Sequence, residues 1–579
     1  MQRIWRNNQL AAWRPNAWDG IAFLIVVAIF AFLAFGAQQM ASPYKLGQQL
    51  PISLSVSHLP YYAIRTVFRM LLAMLVSLIF SFIFGTLAAK NKHAERIIIP
   101  AIDILQSVPV LGFLSITVVG FIALFPDSML GPECAAIFAI FIAQVWNITL
   151  GLYQSLRNVP HDLKEAAAMF HLTPWQRYWR VEVPFALPSL IWNMMLSMSA
   201  GWFFVTVCEA ISVNHDTILL PGVGSYIALA IKQADKTGVV AAIITMLIVI
   251  VLYDQLLFRP LIKWSDRFKF EANLDDQTPN SFFIALLNKT HLLHYVGNAL
   301  AFAFSLFVNL KIGKDKVSLV PESKKHKHGY VILISTWAWY IGIIIAALLA
   351  TTALLSFIFK SISATEALHV FVLGIYTTIR VAVLIVICSL VWVPIGVWVG
   401  MRPRLTQTVQ PIAQFLAAFP ANLLFPVVVM AIVKFNLNVQ IWTTPLMILG
   451  TQWYILFNII AGASTLPKDL YLATQNFGVK GWLWWKKFIL PGIFPFYVTG
   501  AITAAGGAWN ASIVAEVVNW GTHTLHATGL GAYISEYTTT GDFPRIALGI
   551  GVMCIYVLLF NRLIWQPLYN LAQKRFQLY

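Results

Sequence analysis

The 579-residue sequence predicts an all-α polytopic membrane protein, with two parallel six-helix repeats and about 12 transmembrane helices. Three observations predict it. Hydrophobic residues make up 59% of the chain and charged residues only 11%, with a mean hydropathy of +0.74; soluble domains carry about 25% charged residues. Apolar runs recur at the ~20-residue length that crosses a bilayer. The second half of the chain repeats the first in one register.

The runs of the first half cover residues 20–36, 66–89, 97–125, 134–155, 188–212 and 237–258. Those of the second cover 331–358, 371–400, 409–433, 441–463, 495–518 and 543–565. They are too long and too uniformly apolar for barrel strands, so helices must satisfy their backbone in lipid. The first run reads as a retained signal-anchor helix, because the 37–42 region is a weak cleavage site. Arg3, Arg6 and Arg14 precede it, and Lys90, Lys92 and Arg96 follow the second run. This positive-inside pattern places those segments, and both termini, on the cytoplasmic side of the membrane. It also accounts for the net charge of +16 without nucleic acid as a partner. Cys134, Cys208, Cys388 and Cys554 lie in or beside apolar runs, with no metal-like spacing, and read as small core residues.

The repeat has an offset of 307 positions over most of its length. Trp146 falls on Trp453, Pro160 on Pro467, Trp175 on Trp482, Trp202 on Trp509 and Glu209 on Glu516. Upstream the offset is 311, where Thr66 falls on Thr377, Arg69 on Arg380, Pro100 on Pro411 and Pro109 on Pro420. Equivalent loops must face the same side, so the linker holds an even number of spans. Residues 1–270 therefore form the first membrane domain, 271–329 a cytoplasmic or interfacial linker with amphipathic helices, and 330–579 the second membrane domain. The basic run Lys324–His328 reads as a solvated juxtamembrane segment.

After the fourth span of each half comes a polar stretch with its own pattern. In the first it reads Glu165-Ala166-Ala167, His171 and Val181-Glu182-Val183-Pro184; in the second, Leu472-Ala473-Thr474, Gly478 and Phe488-Ile489-Leu490-Pro491. Asp162 is expected to cap a short helix, with Glu165 in its first turn where negative charge suits the helix dipole. Thr173-Pro174 starts a second helix, and Pro184 and Pro188 are expected to end it. A helix–turn–helix along the cytoplasmic face results.

These residues resemble a known signature: Glu-Ala-Ala, three residues, Gly, nine residues, Ile-x-Leu-Pro, found in permease subunits of binding-protein-dependent ABC importers. The resemblance covers most of the chain, twice. The segments Gly201-Trp202 to Glu209 and Ala508-Trp509 to Glu516, with Gly222-Val223-Gly224 and Gly529-Leu530-Gly531, are similar to the nitrate/sulfonate/taurine branch. The resemblance implies a type I importer permease-like fold in a bacterial plasma (inner) membrane, two permease domains fused in one chain, and a coupling role toward the ATPase for Glu165, Ala166, Ala167, His171, Pro184, Leu472, Ala473, Thr474, Gly478 and Pro491. It implies two ATP-binding subunits, a periplasmic or lipid-anchored solute-binding protein and membrane lipid as partners. Neither copy is complete: His171 stands where the family has glycine, and Leu472 and Thr474 replace Glu and Ala. Phosphate-cradling Gly-x-x-x-x-Gly-Lys-Ser/Thr does not occur, and the lone Gly313-Lys314 lacks its context. ATP and Mg thus belong to the partner subunits, and this chain binds no cofactor and is a transport subunit, not an enzyme.

Charges inside spans are costly and mark candidate functional residues. Arg69, Glu209, Arg380 and Glu516 stand at similar depth near the outer side, with Trp202 and Trp509 on the Glu-bearing helices. Two readings are open for them: a structural Arg–Glu pair in each half, or a gate and anion-attracting mouth on the substrate path. Thr66 and Thr377 are explained as caps at the outer starts of their helices. The expected function is ATP-driven import of a small solute, an anion such as nitrate, sulfonate or taurine, by alternating access. An ion-coupled secondary transporter with two parallel six-helix halves is the alternative.

Overall fold

A computed structural model describes residues 17–40, 42–44, 51–106, 108–213, 216–268, 291–310, 329–521 and 523–575. Arg3, Arg6, Arg14, the Gly313-Lys314 pair, the Lys324–His328 run and most of the linker lie outside the described residues.

Among the described residues, eight helices are long and apolar enough to cross a membrane, or nine if one bent pair counts as a single span. Helices Ala17–Met40 and Gly329–Phe359 occupy the first predicted position of each half. In each half the fourth and fifth spans pack together along their length: Leu130–Arg157 with Val183–Cys208, and Val439–Ser464 with Leu490–Ala515. Small residues allow this approach. Gly500, for example, lies with its Cα against the Tyr454 carbonyl, which a Cβ would meet at 2.8 Å.

The third predicted span of each half is not one helix. Residues 97–125 divide into Lys92–Leu105 and Val110–Leu124, and residues 409–433 divide into Pro403–Ala418 and Phe425–Lys434, with a bend of 78° between Pro403–Ala418 and Ala421–Lys434. Pro109 and Pro420 stand at the breaks as equivalent residues, each lacking an N–H and disfavouring helix in the residue before it. The fifth spans also end earlier than expected. They stop at Cys208 and Ala515, and each is followed by a two-stranded antiparallel hairpin. Ala210–Val213 pairs with Asp216–Leu219, and Val517–Trp520 with His523–His526. A short helix follows each hairpin, Val223–Lys232 and Leu530–Thr540.

The halves meet across several polar contacts. Asn510 Oδ1 accepts the Val110 N–H at 2.8 Å, and Asn422 Nδ2 donates to Thr206 Oγ1 at 2.8 Å. The hairpins reach across too: the Gly521 N–H donates to the Ile231 carbonyl at 2.9 Å, and the first hairpin packs on helix Leu530–Thr540.

Candidate functional site

Three features are candidates: the buried charges at the hairpin end, the duplicated loops at the opposite end, and a cavity between the halves.

Arg69 and Glu209 form a buried pair, with Arg69 Nη1 donating to Glu209 Oε1 at 2.7 Å. Arg380 and Glu516 repeat it at 2.8 Å. Thr66 and Thr377 lie inside their helices and are not caps. Each hydroxyl donates to the glutamate, at 2.6 and 2.9 Å, and accepts a backbone N–H from the start of the short helix, Val223 or Leu530. The other glutamate oxygen accepts the Gly224 or Ala532 N–H, at 2.7 and 3.1 Å. Glu209 and Glu516 therefore pin the segment after each hairpin to the second span. This explains the glycines there: a Cβ on Gly222 or Gly529 would meet the carboxylate at 2.2–2.3 Å.

Sequence reasoning missed half of the first cluster. Arg69 also donates to Glu133 at 2.5 Å, and Arg65 donates to the same carboxylate at 2.5 Å. The cluster is thus two arginines with two glutamates. In the second half the positions of Arg65 and Glu133 hold Tyr376 and Gln440, and Arg380 donates to the Gln440 side chain at 2.6 Å. One positive and one negative charge have been exchanged together, so both clusters stay neutral. Desolvated charges demand that balance. Trp202 packs edge-on against Tyr253, with centroids 5.4 Å apart, away from the cavity; Trp509 lines it.

The duplicated loops have one geometry. His161–Met169 and Lys468–Asn476 are the first short helices, with Pro160 and Pro467 at the N-cap positions. Asp162 lies in the first turn and does not cap. Thr173 does cap the second helix, in a capping box with Gln176. Pro184 and Pro188 do not end that helix. The chain continues from Pro174 to Cys208 through a wide turn at Tyr178–Glu182, and likewise through Trp485–Ile489 before Pro491. A π-type turn re-spaces the carbonyls that a proline leaves without donors, so the helix bends and does not stop.

His171 adopts a left-handed conformation (φ 48°), as does Gly478 (φ 64°). The next amides, Leu172 and Val479, close the same turn onto Ala167 and Thr474. The first copy holds the glycine geometry with a residue that resists it. His171→Gly is expected to steady this turn by about 1 kcal/mol, and Gly478→Ala to weaken its partner by a similar amount. Hydrogen exchange at Leu172 and Val479 measures both; unchanged protection in each variant would refute the assignment.

Both loops present side chains outward. Glu165 is 62% exposed and, among the described residues, bonded only to His161. Met169 and Phe170 are exposed, as are Leu472, Phe477 and Trp482. Trp175 differs from its equivalent. Its indole donates to the Phe307 carbonyl at 2.9 Å, under the linker helix His291–Val308, while Trp482 is 73% exposed.

A cavity of about 250 Å³ lies between the halves. Both halves line it, including Asn147, Phe203, Tyr454, Trp509, Asn510 and Trp565. None of the four predicted charges reaches it. Its residues carry no formal charge, so the charge-based search of the sequence passed over them.

The family model described as the binding-protein-dependent transport system inner membrane component matches residues 81–259 and again 392–575. Among curated relatives, a glycine betaine/carnitine transport permease of Listeria monocytogenes is 26% identical over 33% of this chain and 63% of its own length. A nitrate import permease of Leptolyngbya laminosa is 23% identical over 39% of the chain and 78% of its own. A bicarbonate transport permease of Synechococcus elongatus is 24% identical over 28% of the chain and 53% of its own. The chain thus spans less than two thirds of the length of the first and third of these relatives.

Proposed function

The chain belongs to the family of binding-protein-dependent transport system inner membrane components, twice over in one polypeptide, and on that premise we propose that it forms the whole translocation unit of an ATP-driven importer for a small solute. Two ATP-binding subunits dock on the duplicated loops, with Glu165 to Ala167 and Leu472 to Thr474 as their contacts. A periplasmic or lipid-anchored solute-binding protein delivers the solute at the hairpin end. The resemblance to the nitrate, sulfonate and taurine branch favours a solute with an anionic group. ATP binding draws the loops together and opens the hairpin end, so that access alternates.

The observation that carries this reading is the pair of protruding helix–turn–helix loops with the same backbone turn, one per half, at the end opposite the hairpins. A chain that moved solute unaided would have no use for two matching apolar-tipped projections. The copies are not equivalent, because only the first has a carboxylate at the Glu165 position, where the second has Leu472. Glu165 contributes little to the fold, being exposed with a single polar partner. Glu165→Ala is therefore expected to lower ATP-driven uptake in proteoliposomes by roughly fivefold or more, and Leu472→Ala by less. Equal losses reject the asymmetry. Uptake by the chain alone, driven by a proton or sodium gradient, rejects the motor.

A further inference from the structure

The cavity between the halves carries more information than its position. Among the described residues no Asp, Glu, Lys, Arg or His lines it, while eight of the 28 lining residues are aromatic. An ion stripped of water in such a place meets no compensating charge. Aromatic faces do attract a diffuse cation, such as a methylated ammonium, at about 0.5–2 kcal/mol per face. Side-chain amides supply donors for an anionic group. Trp565 adds a specific signal: it is nine-tenths buried, it lines the cavity, and its indole N–H meets no acceptor among the described residues. A buried donor without a partner is costly, and a ligand oxygen would satisfy it.

The lining is also lopsided. Two identical halves would build a symmetric chamber. Here Asn147 of the first half stands where the second has Tyr454, and Phe203 where the second has Asn510; all four line the cavity. Trp565 stands at the position of Phe258. Each half thus presents one amide and one ring from the first two of these pairs, but at exchanged positions, so the chamber's polarity is not two-fold symmetric, as fusion of the halves permits. A symmetric ion gains nothing from that. A molecule with unlike ends does.

We propose that this cavity holds a compact zwitterion of no net charge, with its cationic end on the aromatic faces and its anionic end on the amide and indole N–H donors. This rests on the importer reading above and narrows its solute: the anionic group comes with a compensating cation on the same molecule.

The test uses the full chain in lipid nanodiscs, without ATPase or binding protein, and follows tryptophan fluorescence. N,N,N-trimethylglycine is titrated against stand-ins for its two charged ends, tetramethylammonium chloride and sodium acetate, and against a symmetric anion, sodium nitrate. A saturable response to trimethylglycine is expected, at a concentration at least tenfold below that needed for any of these ions. Trp565→Phe keeps an aromatic face and removes the donor, and should raise the half-saturating concentration threefold or more. Asn147→Leu, a second probe should the first variant misfold, should act the same way. Nitrate binding as tightly as trimethylglycine overturns the proposal, as does the lack of a saturable response to trimethylglycine or wild-type binding in folded Trp565→Phe. Because no nucleotide is involved, these outcomes are separate from the fate of the importer reading. Zwitterion binding with ATP-independent uptake would remove the motor and leave the cavity assignment standing.

Discussion

Arg69→Leu is expected to abolish accumulation of folded protein, the largest effect of any single substitution considered for this chain. Arg69 donates to both Glu133 and Glu209, and all three side chains are buried. Removing it leaves two buried carboxylates facing one arginine, Arg65. Breaking a buried pair in this way costs about 3–5 kcal/mol, because the remaining charge is desolvated without a partner. Glu209 would keep Thr66 and the Gly224 N–H, which do not replace a positive charge. The measure is the monodisperse fraction on size-exclusion chromatography in detergent, with the thermal midpoint of whatever survives. The second half supplies a stricter version. Arg65→Tyr alone leaves the cluster one negative charge in excess, and Glu133→Gln alone leaves it one positive. The double variant restores neutrality and copies the Tyr376 and Gln440 arrangement. Each single change is expected to destabilise strongly, and the pair to recover most of the loss. A double variant no better than the worse single one would refute charge balance as the reason the two clusters differ.

What the sequence disclosed follows from which interactions are periodic and local. Span positions came from apolar length alone, and the two loops from a spacing shared at one offset. Arg69, Glu209, Arg380 and Glu516 were found because isolated charges in apolar runs are conspicuous. Glu133 was not, because it opens a helix, where a carboxylate has an ordinary role at the dipole. Only comparison of the columns Arg65/Tyr376 and Glu133/Gln440 would have exposed the joint exchange. The breaks in the third spans were not read from the sequence: Pro109 and Pro420 coincide there, but an apolar run masks a break when length is the criterion. The hairpins were illegible: strands of four residues carry too little alternation to register. The cavity has no sequence signature, because neutral amides and aromatics scattered over six helices meet only in three dimensions.

The hairpin end offers the second large effect, an expected loss of transport on cross-linking. The second hairpin's tip is hydrogen-bonded to the first half through the Gly521 N–H and the Ile231 carbonyl. A Cβ built on Gly521 lies 3.3 Å from the Ala234 Cβ, close to the roughly 3.5–4.5 Å that a disulfide spans. This contact joins the halves at the end where the importer reading places solute entry. If access alternates, it must open in each cycle, because the segments after the hairpins are pinned to opposite halves by Glu209 and Glu516. Ala234→Cys with Gly521→Cys, in a chain whose four native cysteines are replaced, is therefore expected to lose ATP-driven uptake by roughly tenfold on oxidation and regain it on reduction. Both positions have positive φ, 53° and 59°, so the cysteines strain the backbone somewhat even before they bond. The reduced double variant is the control for that strain. Cross-linked protein that still imports at the reduced rate would mean that the hairpins do not part. The buried Arg–Glu clusters would then be fixed fastenings and not the latches of a moving gate.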